Sequence, residues 1–393
     1  MFTNYLFVIL SFLIALILSK VIIPKIMAIA VKRSLYDQPD ERKWHSGHVS
    51  QLGGLSFVPS IFFAVALTMS ISFIISPNTI SDIERIGHYA VSTFIKGETD
   101  NSHLEAHSNI GEYGLFFCGA MLLFFTGVKD DLVGVRYRHK FRIQIVASIL
   151  FVLSGLYFNN LYGLFDIHKW SVWLGVPVSL IFIVYITNAI NLIDGIDGLA
   201  SCICLLTFFV LGYLFMSCDL WIYSMISFAG IGVLIPFIYY NVFGNADKGT
   251  KIFMGDTGSL TLGYIIACLI IRYACIKPDM PIPTDRSLVF VFSTLIVPMF
   301  DVVRVMIQRL RHNKNIFSPD RNHIHHKLMK LGLTPRETLV VLILLTIFLG
   351  AINYILTRYF VQITITLIID IILWTVLNIA ISKKIQKLNG TAQ

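Results

Sequence analysis

The sequence predicts an all-α integral membrane protein that crosses the bilayer about eleven times. Composition, run length and charge asymmetry carry this prediction. Of 393 residues, 56% are hydrophobic and only 14% charged. A soluble chain of this size is near half apolar and a quarter charged. The mean hydropathy is +0.74, so the bilayer rather than a water-excluding core organises the fold. Apolar runs recur near the roughly 20 residues that a span requires. Basic residues crowd into alternate connections.

The first run, Phe2 to Ile23, has no basic residue before Lys20. A cleavable signal peptide opens on positive charge, so this run reads as a retained span entering from outside. Further runs lie at 53–76, 112–128, 143–158, 172–190, 199–217, 220–240, 258–276, 288–307, 338–357 and 360–381. An odd number of spans puts the termini on opposite sides. One set of loops carries Lys32, Arg33, Arg42 and Lys43, then Lys129, Arg136, Arg138, Lys140 and Arg142, then Lys248 and Lys251. The loop after the ninth run continues the pattern from Arg304 to Arg336, and the tail adds Lys383, Lys384 and Lys387. The alternate loops hold only Arg85, Lys96, Lys169, Arg272, Lys277, Arg286 and Arg358. The rich side is cytoplasmic by the positive-inside rule, which places the N-terminus outside and the C-terminus inside. The net charge of +8 then needs no nucleic acid; anionic head groups or phosphorylated ligands suffice. The six cysteines form no CxxC pair, so neither a zinc framework nor disulfides are predicted from them. No internal repeat is visible, which argues against an inverted-repeat transporter.

The polar clusters all fall on the predicted cytoplasmic side, which points to an enzyme. The first is Asp37-Gln-Pro-Asp-Glu-Arg-Lys43-Trp-His45, followed by Gly53-Gly54; its cations suit an anionic ligand or are ordinary positive-inside charge. The second is Lys129-Asp130-Asp131 with Arg136 to Lys140. Adjacent helical residues point about 100° apart, so the two aspartates should have different partners. The pair suits a divalent metal, a phosphate-handling site, or plain solvation. The third is Asn188-Ala-Ile-Asn191-Leu-Ile-Asp194-Gly-Ile-Asp197-Gly-Leu199. Residues three apart share a helix face, so Asn188 with Asn191, and Asp194 with Asp197, should point together. The fourth, Phe253-Met-Gly-Asp256-Thr-Gly-Ser259, offers a compact oxygen ligand beside exposed backbone N–H groups, which can cradle phosphate, or an N-cap. The fifth, Ser318-Pro-Asp-Arg321-Asn-His323-Ile-His325-His326, reads as a short amphipathic helix capped by Ser318 and stopped by Gly332, with His323 and His326 on one face. Anion recognition by Arg321, Lys327 and the histidines is the leading reading; zinc and an interfacial helix with incidental histidines are the others. Thr334-Pro-Arg-Glu337 is a capping-box pattern that restarts a helix.

Together these motifs resemble the polyprenyl-phosphate N-acetylhexosamine-1-phosphate transferases of the glycosyltransferase 4 type. The His-x-His-His form is similar to the WecA/TagO branch rather than the MraY branch, which carries three consecutive histidines. Two stretches depart from the pattern: Ser50-Gln51-Leu52 lacks the proline often found before the Gly pair, and the loop Asn241 to Thr250 is longer than usual. The resemblance implies that a polyprenyl phosphate, such as undecaprenyl phosphate, attacks the β-phosphorus of a UDP-N-acetylhexosamine and UMP leaves. GlcNAc is the first choice of sugar. The resemblance also implies roles. Asp256 would bind Mg²⁺ with Asn191, with Mn²⁺ as a substitute. Asp130 would be base or phosphate positioner and Asp131 its neighbour. Asp194 and Asp197 would hold the nucleoside, and Phe253 would stack on uracil. Lys140, Arg321, His323, His325 and His326 would grip pyrophosphate and sugar, and Lys43 and Asn188 would join the substrate-binding set. The chain is then one transferase domain over 1–393, its active site drawn from loops 31–52, 129–142, 188–198, 241–257 and 308–337, with an outer loop at 77–111. A bacterial cytoplasmic membrane, surrounding membrane lipids and a homodimer are further expectations. A carrier or flippase for a lipid-linked sugar is the alternative of a different class.

Overall fold

A computed structural model describes residues 2–33, 35, 49–75, 110–276, 284–315, 322–359 and 362–390. The first-loop motif with Lys43, the outer loop and Arg321 lie outside the described residues. The described chain is helical apart from one small hairpin. Its helices are α1 (Phe2–Arg33), α2 (Phe57–Ile75), α3 (Ile110–Val133), α4 (Tyr137–Val152), α5 (Val172–Ile193), α6 (Leu199–Ser217), α7 (Trp221–Phe243) and α8 (Gly255–Ala274). After these come α9 (Thr284–Thr294), α10 (Ile296–Arg311), the short α11 (Ile324–Lys330), α12 (Pro335–Tyr359) and α13 (Ile363–Gly390).

Nine of the described helices are long and apolar enough to cross a membrane. Two of the eleven expected runs differ from that standard. The ninth is broken: α9 and α10 meet at a 68° bend around Leu295. The fourth, expected to run to residue 158, ends as helix at Val152, after only 16 residues. Gly155 turns the chain with φ +89°. The hairpin follows, strand β1 (Asn160–Leu164) against strand β2 (Ile167–Lys169). The sequence reading foresaw no strand there. Asn159, Asn160, Gly163 and Asp166 are the turn formers that end the helix and shape the hairpin.

α8 is the axis of the bundle, buried along its whole length. It packs against α3, α5 and α6, whereas α12 and α13 lie at the periphery with broad exposed apolar faces. In a bilayer, lipid offers no hydrophobic drive between helices, so close packing of small residues holds them. At Gly127 the backbone of α3 comes so near Thr257 that a β-carbon would overlap its Cα. That contact brings the end of α3 level with the start of α8, where the polar side chains gather.

Candidate active site

The start of α8 sets the geometry. Gly255 adopts φ +69°, and a β-carbon there would overlap the Gln51 carbonyl oxygen and the Asp131 carboxylate. Only glycine makes this turn without strain. The preceding segment is clamped to the start of α2: Phe253 N donates to Ser50 O (2.8 Å), Gly53 N to Phe253 O (3.0 Å) and Gly54 N to Met254 O (2.9 Å). Two sequence motifs thereby become one scaffold.

Asp130 and Asp131 take different partners, as their angular separation predicts. Asp131 accepts hydrogen bonds from Asp256 N (2.7 Å), Thr257 N (3.0 Å) and Thr257 Oγ1 (2.6 Å). The carboxylate that caps α8 therefore comes from another helix, and Asp256 itself is not the cap. Asp130 accepts from Val135 N (2.5 Å) and pairs with Lys140 Nζ at 2.5 Å. The same Lys140 ammonium pairs with Asp256. Burial lowers the proton affinity of Lys140, but Asp256 and Asp130 outweigh it and hold the ammonium above the usual lysine value. Asn191 donates to Asp256 Oδ1 (3.0 Å) and to Ser259 Oγ (2.9 Å). Asp130, Asp131 and Asp256 each offer an oxygen within 4.8 Å of the others. Three clustered carboxylates, oxygen donors only, suit a hard divalent cation such as Mg²⁺. Asp131 is the least available, because both its oxygens already accept from α8.

The amide-and-carboxylate stretch departs from its two expected pairings, Asn188 with Asn191 and Asp194 with Asp197. Asn188 turns from Asn191 and pairs with Gln144 of α4, donating at 2.7 Å and accepting at 3.3 Å. Helix α5 ends at Ile193, so Asp194 and Asp197 sit in a turn rather than on a helix face. Asp197 binds Lys251 Nζ at 2.6 Å, and that ammonium lies 5.8 Å from the Phe253 ring centre. Burial, reinforced by repulsion from Asp256, Asp197 and Asp131, pushes Asp194 up to about 8. Asn241 staples the turn to the strand-like segment beside it, accepting from Gly198 N (2.6 Å) and donating to Ile252 O (2.8 Å).

The histidine motif also differs in detail. Ser318 lies outside the described residues, and His323 precedes α11 in extended backbone rather than sharing a helical face with His326. Its ring instead lies parallel to that of His325, with centres 5.8 Å apart. His325 is 1% exposed and occupies the space beside Gly195, so that a β-carbon on Gly195 would overlap its ring. Both His325 ring nitrogens are buried without a hydrogen-bond partner among the described residues. Burial, with His326 and His323 adding to it, drops its imidazole to about 3, so it is neutral. Lys327 is lowered to about 8 by burial and by Arg304, and it donates to Ser382 of α13 at 3.0 Å. The sequence reading missed Asp301, the acid that anchors this segment. Asp301 is 0% exposed and binds His323 Nδ1 at 2.8 Å. A lone carboxylate inside the ninth apolar run was the available signal. Gln144, Asn241 and Lys251 were missed as site-building residues for want of any such signal.

All the described candidates thus collect at one end of the bundle, around the start of α8 and the turn after α5. Residues 113–274, which hold both aspartate motifs and the start of α8, match the model of glycosyl transferase family 4. A probable undecaprenyl-phosphate N-acetylglucosaminyl 1-phosphate transferase of Bacillus subtilis (strain 168) is 29% identical over 341 residues, 86% of this chain and 82% of that protein. The undecaprenyl-phosphate alpha-N-acetylglucosaminyl 1-phosphate transferase of Yersinia pestis is 29% identical over 336 residues (83% and 78%). Its namesake in Escherichia coli (strain K12) is 26% identical over 334 residues (83% and 77%). The chain is thus similar to glycosyl transferase family 4 over residues 113–274 and, over most of its length, to these membrane transferases.

Proposed function

We propose that this protein transfers N-acetylglucosamine 1-phosphate from UDP-N-acetylglucosamine to undecaprenyl phosphate and releases UMP, at the cytoplasmic face of a bacterial inner membrane. The observation that carries the reading is the Asp130–Lys140–Asp256–Asn191 cluster at the bundle end that the basic loops mark as cytoplasmic. The relatives' names support the sugar and the lipid.

The attacking group is a phosphate monoester, whose second pKa is about 6. It is already mostly dianionic at neutral pH, so no strong base is required. The obstacle is bringing one anion against another, and catalysis is positioning plus charge neutralisation. Lys140, held charged between two carboxylates, is a cation that the described residues bring to the site. Asp256 and Asp130, with the Asn191 side-chain amide beside them, are the residues that would hold Mg²⁺. When bound, Mg²⁺ supplies the positive charge that the pyrophosphate needs as UMP departs. Asp131 and Gly255 fix the start of α8, and so fix Asp256. The Phe253 ring and the Asp197–Lys251 pair form the wall that takes the nucleoside. Asp194, protonated near neutrality, can donate a hydrogen bond where an ionised carboxylate could only accept. We read the transfer as direct displacement, with Asp130 placing the lipid phosphate.

The test is UMP release by purified protein given UDP-N-acetylglucosamine, undecaprenyl phosphate and Mg²⁺. UMP should appear only with both substrates, in step with lipid-linked sugar phosphate, and stop when the divalent cation is chelated. Binding of both substrates without UMP above a blank would contradict the reading and favour a carrier. Competition with UDP-N-acetylgalactosamine decides the sugar.

A further inference from the structure

Asp301 is a fully buried carboxylate that the chemistry above does not use. It lies on α10, just past the break in the ninth span. Oδ1 accepts from the Arg304 guanidinium (2.7 Å) and from Ile324 N (3.0 Å). Oδ2 meets His323 Nδ1 at 2.8 Å. Arg304 reaches past it to the Asn322 carbonyl. Asp301 therefore does two things at once. It caps the first turn of α11, whose own N-cap, His323, makes no side-chain capping bond. It also grips one edge of an imidazole.

The grip has a chemical consequence. A carboxylate only accepts hydrogen bonds, so His323 Nδ1 must carry its proton. That leaves Nε2 as the ring's acceptor, or as its second donor when the ring is charged. Two charged groups besides Asp301 bear on the ring's surroundings: Arg304, which shares the carboxylate, and Lys327 on the same segment. Its ring neighbour is the neutral His325, stacked parallel to it and itself lying against Gly195, one residue from Asp194. His323 is thus one ring-layer away from the turn that carries the two aspartates. A histidine fixed in one tautomer by a buried carboxylate has its ring direction, and the role of its other nitrogen, set by that partner.

We propose that Asp301 is a positioning residue of the transfer reaction, holding His323 in the Nδ1-protonated tautomer so that Nε2 faces the reacting phosphates. This assignment rests on the proposed transferase reading. Asp301→Asn is the telling substitution. The side chain keeps its size and can still accept from Ile324 N. An amide N–H now faces the ring, which favours the opposite tautomer and turns Nε2 from acceptor to donor.

The experiment measures kcat, KM for UDP-N-acetylglucosamine and melting temperature for wild type, Asp301→Asn, His323→Gln and the double variant, each in detergent with undecaprenyl phosphate and Mg²⁺. Asp301→Asn should lower kcat about 10- to 100-fold with KM nearly unchanged, the size typical of losing the hydrogen-bond partner that orients a metal-bound histidine. Its melting temperature should fall, because Arg304 loses its buried counter-charge, so kcat is taken per unit of folded protein. The double variant should be no slower than His323→Gln alone, because Asp301 acts only through that ring. Wild-type kcat in Asp301→Asn would overturn the assignment. So would a loss that multiplies with that of His323→Gln, or one that merely follows a lost folded fraction. If wild type itself released no UMP, the transferase reading would fail and this assignment with it; an active wild type with an equally active Asp301→Asn sinks the assignment alone.

Discussion

At the scale of single residues, Asp194 and Asp256 show how neighbours decide what a carboxyl does. Asp256 faces an ammonium and an amide; Asp194 faces three other acids in a desolvated turn. Asp194 is pushed up to about 8, against about 3.9 in an unfolded chain. The sign of the linkage follows. The folded state holds this proton more tightly, so the stability it contributes is full below about pH 4 and is lost as pH rises through about 8. Asp194→Asn removes that dependence. In Mg²⁺-free detergent, its melting temperature should exceed wild type by a margin that grows from pH 5 to pH 8.5; a margin that stays flat or shrinks would show that Asp194 is not held protonated. Much at this scale was legible beforehand. Asp130, Asp131, Asn191 and Asp256 stand in motifs whose residue types already speak of cations and phosphate. Gln144, Asn241 and Lys251 were not, because each takes its meaning from a partner far away in sequence, such as Asn188 for Gln144; Asp301 stood out only as a lone carboxylate in an apolar run, with nothing to name His323 as its partner. Spacing along a chain carries no trace of such a pairing.

At the scale of elements, the site is built from helix ends. α3 ends where α8 begins, and Asp131 crosses between them to accept the orphan N–H groups of the α8 first turn. Asp131 and Asp256 therefore part company under mutation. Asp131→Ala strands those buried donors and should lower stability by about 1–3 kcal/mol, visible as a lower melting temperature along with lost turnover. An Asp131→Ala protein as stable as wild type would refute the capping role. Element boundaries were partly legible. The Thr334–Glu337 capping box forms as read, with Thr334 N donating to Glu337 Oε2 at 2.7 Å and Glu337 N to Thr334 Oγ1 at 3.3 Å. The end of α5 at Ile193 lies close to the expected end of the apolar run at residue 190, but the turn that carries Asp194 and Asp197 was not foreseen, because a three-residue acid spacing fits a helix and a turn equally well. Gly195 and Gly198 tip the balance: Gly198 takes φ +82°, a conformation that glycine alone adopts freely.

Across the whole molecule, every described site residue lies at one end of the bundle, and the hairpin with Lys169 lies at the other. The proposed orientation makes a direct prediction. Lys384→Cys, near the end of α13, should react with a membrane-impermeant maleimide only after the inner membrane is opened. Lys169→Cys should react in spheroplasts with that membrane intact. The reverse pattern would turn the protein over and remove the substrates' access from the cytosol. The all-α class and the positions of the apolar runs were legible because the bilayer imposes length and polarity on each span. The 68° break between α9 and α10 was not, since a bent apolar run and a straight one have the same composition.

The claim that most depends on all three scales is that α3, α4, α5 and α8 converge to form one phosphate-handling centre. It is tested by comparing UMP release by Asp256→Asn and wild type under saturating substrates and Mg²⁺, per unit of folded protein. The convergence predicts turnover lower by about 10²- to 10³-fold, the usual loss when a central electrostatic group is removed from a preorganised site, with the melting temperature little changed. Full turnover in Asp256→Asn would contradict it.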